Sequence, residues 1–228
     1  MRNLDLVLLA LLVAGAASAG QREVQLALPL RPKLALSGHE RLYVGPFLRE
    51  NPEDKASADV RFDVANEFER YLRRLLRKET KFVLVATLDA VRLPTTDPLQ
   101  LGNEADFWRG LGQKTGADII VAGSIDFQIQ DTNQPKIEAY ESPTDGRTYY
   151  RQVMVEQTGF TYDILLNVYD ARSGALVLQE PLKDTQQRDE RSFDEFTGMF
   201  ANLYALENQL VGIFVPRTIK TKRILFTR

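Results

Sequence analysis

The stretch that most constrains the fold is residues 116–130, GADIIVAGSIDFQIQ. Gly116 follows an amphipathic run and is the residue type that most readily ends a helix in a left-handed conformation. Beyond it, five apolar residues share one parity: Ile119, Val121, Ile125, Phe127 and Ile129. The other parity is apolar at first and polar from Ser124 onward. This pattern predicts a central strand that emerges towards an open face, and Gly123 predicts a helix lying close across the sheet.

Three other stretches have the periodicity of amphipathic helices. Residues 59–80 carry one apolar stripe, with Asp59 or Asp63 at the start and a basic cluster at the end. We expect that cluster (Arg70, Arg73, Arg74, Arg77 and Lys78) to be a solvated face, in which Glu69 pairs with Arg73, rather than an anion-binding patch. Residues 104–115 predict a shorter helix in which Trp108 packs into the core. Ser192 and Glu195 form a capping box before a helix that runs to about Phe214.

The remaining segments are predicted as strands and loops. Residues 40–47 form a first core strand that Gly45-Pro46 ends, and residues 81–87 form a second strand. Residues 148–170 form one strand or a bent pair of strands, and a turn at 170–174 returns the chain through a strand at 175–182. Polar or proline-rich composition predicts irregular connections at 93–103, 131–148 and 183–191.

These elements predict an α/β (α+β) fold. We expect a mixed β-sheet covered by two or three amphipathic helices, a sandwich like that of anticodon-binding domains, with a β-hairpin and a carboxy-terminal helix. The predicted organisation is a signal peptide at 1–19, an extended arm or edge strand at 20–38, the α/β domain at 39–216, and a basic tail or terminal strand at 217–228.

The amino terminus has the layout of a secretory leader. Arg2 precedes a short apolar run at 6–13, and the small residues Ala17-Ser18-Ala19 follow it. This order predicts cleavage between Ala19 and Gly20 and a mature protein in the periplasm or cell envelope. Because Asp5 offsets Arg2, an uncleaved anchor remains an alternative.

Little in the chain suggests catalysis. There is no cysteine, and the one histidine, His39, excludes any mechanism that needs two imidazoles. Ser124 lacks the second glycine of a nucleophile elbow. Strand acids that could form a catalytic pair are expected to be solvated or salt-bridged instead; they are Asp118, Asp126, Asp163 and Glu180. We therefore predict no enzyme activity, no cofactor and no metal.

Two segments carry a family resemblance. Residues 107–112 together with 123–125, and the hairpin at 164–178, resemble the periplasmic domain of the curli secretion channel CsgG and the amino-terminal domain of TolB. The resemblance implies an envelope protein that acts through protein contacts, often as a ring subunit. Two features depart from it: no cysteine is present for lipidation, and polar residues interrupt 149–158, which makes them poor lipid-facing material. The chain also lacks the carboxy-terminal propeller of TolB.

The predicted function is therefore an exported, non-catalytic scaffold or oligomeric assembly or secretion subunit. Its partners would be envelope proteins or further copies of itself in a ring. The near-neutral net charge of −2 argues against nucleic acid, and any membrane association would be peripheral. The predicted partner contacts are Lys136, Tyr140, Tyr149, Tyr150, Arg217, Lys220, Lys222 and Arg223. Two alternatives remain open: a regulator that docks on a periplasmic cell-wall enzyme, and a small-molecule-binding or hydrolytic domain with residues 131–148 as a lid.

Overall fold

A computed structural model describes residues 20–37, 40–50, 63–88, 91–188 and 195–227. The chain separates into two compact units. The larger spans Lys33–Val215, and the smaller contains strands from near the two ends of the chain. The strands are β1 (Gly20–Leu30), β2 (Arg41–Arg49), β3 (Val83–Leu84), β4 (Ile119–Glu141), β5 (Thr148–Asp170), β6 (Leu176–Arg188) and β7 (Arg217–Thr227). The helices are α1 (Val64–Glu79), α2 (Pro98–Leu101), α3 (Ala105–Thr115) and α4 (Glu195–Phe214).

The larger unit is built on a five-stranded sheet in the order β3-β2-β4-β5-β6. Strand β2 runs parallel to both of its neighbours, whereas β4, β5 and β6 form an antiparallel meander. The α+β fold with a mixed sheet and a carboxy-terminal helix is thus confirmed, and the predicted strand at 119–130 lies at the centre of the sheet.

The two faces of β4 contribute to two separate cores, as the sequence parity predicts. Ile119, Val121, Ile125 and Phe127 pack in the larger core, together with the buried faces of α1 and α4. Ile120 and Ala122 face the opposite side, where they pack with Trp108 of α3 and Tyr169 of β5. Both parities of this half of β4 are apolar because helices cover both faces of the sheet there.

Helix termini follow the local sequence. Asp63 caps α1, and its carboxylate accepts a hydrogen bond from the amide of Asn66. Gly116 ends α3 in the left-handed conformation with a φ of 63°. Both outcomes confirm the prediction, whereas the proposed early start at Asp59 and the capping serine Ser192 lie outside the described residues.

Trp108 packs in the core, as predicted. Its ring stacks on Tyr169 with a centroid distance of 4.1 Å, and its indole N–H donates to the carbonyl of Leu101 at 2.8 Å. The prediction for Gly123 is wrong in one respect. A Cβ at this position would lie 1.9 Å from the carbonyl oxygen of Leu165, so the closely approaching element is the neighbouring strand β5, not a helix.

Several predicted boundaries are wrong. Strand β2 continues past Pro46 through an irregularity in its pairing with β4, because a bulge accommodates the missing amide donor. The second strand shrinks from residues 81–87 to two residues, and the connection at 93–103 contains α2. Most of the predicted loop at 131–148 belongs to β4, and the polar stretch at 183–191 continues β6 to Arg188.

The smaller unit is a two-stranded antiparallel ribbon of β1 and β7, paired from Gly20 with Thr227 to Leu30 with Arg217. The segment at 217–227 is therefore a terminal strand, one of the two predicted alternatives. The arm and the tail thus pair with each other.

Candidate interaction surface

Strands β4 and β5 continue as a ribbon beyond the sheet. Their pairing is unbroken from Ile119 with Asp170 to Glu141 with Thr148. The pairing of β2 with β4 ends at Ile125, and that of β5 with β6 ends at Thr158. In the described part of the chain, residues 132–141 and 148–157 therefore form a two-stranded extension, which we call the β4–β5 ribbon.

The tip of the ribbon is a compact turn. Gly146 adopts a φ of 65°, and its amide donates to the carbonyl of Ser142 at 2.9 Å. The Tyr149 hydroxyl donates to the Asp145 carboxylate at 2.7 Å. That hydrogen bond lowers the pKa of Asp145 and raises the pKa of Tyr149. The turn holds the two strands in register at the end farthest from the sheet.

One face of the ribbon is apolar and exposed. Pro135 lies opposite Met154, Ala139 lies opposite Tyr150, and Ile137 between these pairs lies opposite the polar Gln152. The exposed fractions are 72% for Ile137, 64% for Met154 and 75% for Tyr150. A strip of large apolar side chains at this exposure is typical of a surface that another molecule covers.

The opposite face carries aromatic and charged side chains. Tyr140 and Tyr149 lie directly across from each other with ring centroids 6.0 Å apart. The Arg151 guanidinium lies 5.4 Å from the centre of the Tyr140 ring and 3.6 Å from the Glu138 carboxylate. Lys136 lies on this face as well, whereas Tyr150 lies on the apolar face.

The other four predicted contact residues lie on β7 in the smaller unit. Lys220 and Lys222 share one face of that ribbon, and the Lys222 ammonium binds Glu23 at 2.6 Å. Arg217 and Arg223 lie on the opposite parity, which also carries Ile219. The eight predicted contacts thus divide evenly between the two units.

The strand acids are engaged by neighbouring groups. Asp126 and Asp163 lie directly opposite each other, but Lys183 donates to Asp163 at 2.9 Å and the Gln128 amide donates to Asp126 at 2.7 Å. Asp118 accepts a hydrogen bond from the Arg41 amide, and Glu180 pairs with Lys33. The salt bridges of Asp118, Asp163 and Glu180 match the expectation of solvated or salt-bridged acids, and Asp126 is hydrogen-bonded.

The described residues form neither of two other candidate sites, a serine–histidine pair and a metal centre. The Ser124 hydroxyl is buried and donates to Glu50. His39 lies outside the described residues, so its relation to Ser124 stays untested. Within the described ranges, no three His, Cys, Asp or Glu side chains are grouped so that they could hold a metal ion. None of the helices described there is long and apolar enough to cross a bilayer.

The sequence predictions missed Pro135, Ile137 and Met154 as surface residues. Their signal is the shared parity of Pro135, Ile137 and Ala139, which becomes visible only when residues 131–141 are recognised as a strand. Without that recognition, three apolar residues spread along a polar segment indicate a loop.

Comparisons with known proteins give only weak similarities. No protein-family model and no curated protein sequence matches the chain. Among solved structures, the hypothetical protein CT253 from Chlamydia trachomatis is 12% identical with a TM-score of 0.42, and the match covers 75% of this chain and 93% of that protein. The lipoprotein GNA1162 from Neisseria meningitidis is 14% identical with a TM-score of 0.38, and the match covers 75% and 97% of the two chains.

A third similar structure is a homologue of the neuraminyllactose-binding hemagglutinin from Helicobacter pylori. It is 12% identical with a TM-score of 0.29, and the match covers 80% of this chain and 83% of that one. All three proteins are bacterial, and one is described as a lipoprotein. None of the three is described as a curli secretion channel or a TolB protein. At these identities and scores, no function is transferred from them.

Proposed function

We propose that this chain is an exported, non-catalytic scaffold protein of the bacterial cell envelope, which associates with other proteins through the β4–β5 ribbon. The observation that carries the proposal is the exposed apolar face of Pro135, Ile137, Ala139, Tyr150 and Met154 on an element that extends beyond the sheet. A soluble chain gains nothing in its own stability from such a strip, because these side chains remain in water.

The ribbon is also suited to strand-mediated contact. In the described residues, no strand pairs with the outer edge of β4 beyond Ile125 or of β5 before Thr158. A strand edge of this kind can accept the strand of another chain through main-chain hydrogen bonds. The apolar face would then add specificity through alternate side chains.

We propose a second copy of the same chain as the occupant. An interface with two-fold symmetry places identical patches against each other, so each patch must complement itself. The ribbon carries charges of both signs, as the Glu138–Arg151 pair illustrates. The β7 strand, with Arg217, Lys220, Lys222 and Arg223, is mainly cationic and would repel its own copy.

The remaining elements of the proposal rest on the sequence. The leader at 1–19 supports export, and the engagement of Asp118, Asp126, Asp163 and Glu180 by neighbouring groups supports a structural role for these acids. The kinship to the curli-channel and TolB domains stays a prediction, as does assembly into a ring.

The test is the mass of the mature chain, beginning at Gly20, measured by light scattering in mild detergent. We expect an oligomer for the native chain and a monomer for the double variant Ile137→Glu, Met154→Glu, because two buried charges at the contact would oppose association. Leu99→Glu, at an exposed apolar residue of α2, is the matched control and should leave the mass unchanged.

A native chain that is monomeric at every concentration would contradict self-association. Such a result would instead favour a regulator that docks on another envelope protein, such as a cell-wall enzyme. An oligomer that the double variant leaves intact would place the contact elsewhere than the ribbon.

A further inference from the structure

A second surface lies between helices α1 and α4 of the larger unit. An open cleft of about 360 Å³ separates them. Tyr71 and Leu75 of α1 and Phe200 of α4 form its apolar lining, and Tyr204, Arg74, Lys78 and Glu207 also line it. The volume is at the lower end of the range for ligand-binding sites.

The aromatic side of the cleft includes side chains that the core leaves exposed. Phe196, Phe200 and Tyr204 recur at four-residue spacing along α4, and their rings contact each other in sequence. Tyr204 is 63% exposed, although its ring lies 6.1 Å from that of the buried Tyr71. The adjacent face of α4, which includes Leu203, Leu206 and Leu210, packs in the core, and Phe200 lies at its margin.

The helix on the other side of the cleft is basic. Arg70, Arg74 and Lys78 recur every four residues, and Arg77 follows Arg74 by three. All four side chains are exposed. Glu67 binds Arg70, and Glu79 binds Lys78. Among the described residues, Arg74 and Arg77 have no carboxylate partner.

The buried Tyr71 contributes a hydroxyl group beside the apolar lining of the cleft. Its hydrogen bonds to the Leu203 carbonyl and the Glu207 carboxylate are long, at 3.4 and 3.5 Å. Burial, with the nearby charge of Glu207, raises the pKa of Tyr71, so this hydroxyl keeps its proton at neutral pH. Its one proton is shared between the Leu203 carbonyl and the Glu207 carboxylate, so Tyr71 contributes mainly its ring to the lining.

We propose that this cleft binds an acidic peptide segment of a partner protein that inserts one aromatic or branched apolar side chain between Phe200, Tyr204 and Leu75. Aromatic side chains beside arginine are the residue types that dominate protein recognition sites. The Arg74 guanidinium and the Lys78 ammonium, which both line the cleft, supply the charge complementary to flanking aspartates or glutamates.

The shape and the mixed polarity favour a peptide over other anions. A lipid surface would meet a convex basic strip, whereas the apolar contacts here lie inside a concave cleft. A free phosphate would use only Arg74 and Lys78, and it would leave the three aromatic rings and Leu75 of the lining without a contact. The site lies away from the β4–β5 ribbon in the sequence and does not depend on its proposed role.

The experiment uses the full mature chain and two libraries of fluorescein-labelled eight-residue peptides. One library has a central phenylalanine or leucine among aspartates and glutamates, and the matched library has lysine at the acidic positions. We expect binders from the acidic library only, with affinity that falls as salt is raised. Fluorescence anisotropy on the best binder then compares variants.

Three variants should change the affinity for the peptide, each in a defined direction. Tyr204→Ala and Arg74→Glu should each weaken binding about tenfold or more, since each removes a central contact. Glu207→Gln should strengthen binding about threefold, because it removes the repulsive charge in the lining. Lys114→Glu, which reverses an exposed charge on α3, is the matched control and should have no effect.

Several results would overturn the proposal. These are no binding from either library, equal binding from both, or affinity that the Tyr204 and Arg74 variants leave unchanged. Binding to vesicles with anionic lipid, lost in Arg74→Glu while no peptide binds, would assign the basic face to a membrane surface instead. Because Arg74 and Tyr204 are exposed, the variants are expected to fold, which unchanged melting temperatures would verify.

Discussion

Arg73 joins helix α1 to the sheet, and its removal gives the sharpest stability prediction. Its guanidinium donates to the carbonyls of Val44 and Val85, each at 2.9 Å, and to the Glu69 carboxylate at 3.2 Å. The side chains of Arg73 and Glu69 are only 13% and 17% exposed. The cationic stripe of α1 is therefore solvated at Arg77 but not at Arg73.

The expected cost of Arg73→Met follows from these contacts. Two hydrogen bonds from a charged donor contribute about 1.5 to 3 kcal/mol each. Release of the long side chain returns about 2 kcal/mol of conformational entropy. Because the variant also leaves Glu69 without its cation in a half-buried position, we expect a net loss of about 3 kcal/mol. For a domain of this size, that corresponds to a fall in Tm of about 6 to 12 °C.

The assay is urea denaturation of the mature chain at pH 7 and pH 4, with Arg77→Met as the control. Burial already raises the pKa of Glu69, and loss of Arg73 would raise it further. A raised pKa in the folded state contributes stability at low pH that is lost as the pH rises through it. The deficit of Arg73→Met should therefore shrink at pH 4, while Arg77→Met stays within about 0.5 kcal/mol of the native chain. A deficit below about 1 kcal/mol, or one that does not change with pH, would refute the reasoning.

Three further predictions concern the core. Gly123→Ala should lower the free energy of unfolding by about 3 kcal/mol or more, because its Cβ would meet a backbone carbonyl oxygen at 1.9 Å. Gly110→Ala has open space around its Cβ and should raise the free energy of unfolding by up to about 1 kcal/mol. Equal effects of the two variants in urea denaturation would contradict this. Trp108→Phe should cost about 2 kcal/mol because the Leu101 carbonyl loses its donor, and a neutral result by calorimetry would argue against that bond. Burial raises the pKa of Tyr169 to about 12, so its contribution to stability should be lost between pH 10 and pH 12, and Tyr169→Phe should show a smaller fall in Tm over that interval; parallel curves would contradict it.

Much of the larger unit was predictable because burial imposes a pattern. Residues 119–129 are covered by helices on both faces at first, so apolar residues of both parities indicated a central strand. Helix α1 packs with one face only, so its stripe was evident. Helix α2 was missed because four residues carry too little periodicity to detect.

The β4 half of the ribbon was predicted as a loop because neither of its faces is covered by the sheet's helices, whereas the β5 half lies in the segment predicted as a strand. From Gln130 to Ile137 every residue is exposed, so neither parity needs to be apolar. The pairing is imposed instead by the register that β4 and β5 share in the core and by the turn at 142–147. Pro135 argued against a strand, but a ribbon with an open edge tolerates proline.

The positions of the candidate contact residues were likewise only partly predictable from the sequence. Tyr140, Tyr149 and Tyr150 were recognisable as aromatic residues in a polar segment, and the structure places them on one ribbon. Their division between two faces depends on register, which the sequence alone did not specify. The pairing of β1 with β7 joins segments from opposite ends of the chain, and alternation in each strand gives no information about its partner.

The most direct test of the ribbon as an association surface uses the absence of cysteine from the native chain. Ile137→Cys introduces a single thiol at the middle of the apolar face, and mild oxidation of the mature protein would join two copies where a two-fold contact centred on this face brings the two thiols together. If the β4–β5 ribbon mediates self-association, Ile137→Cys should give a disulfide-linked dimer and Leu99→Cys should give none at the same concentration. Failure of Ile137→Cys to form that dimer, or equal yields from both variants, would contradict it.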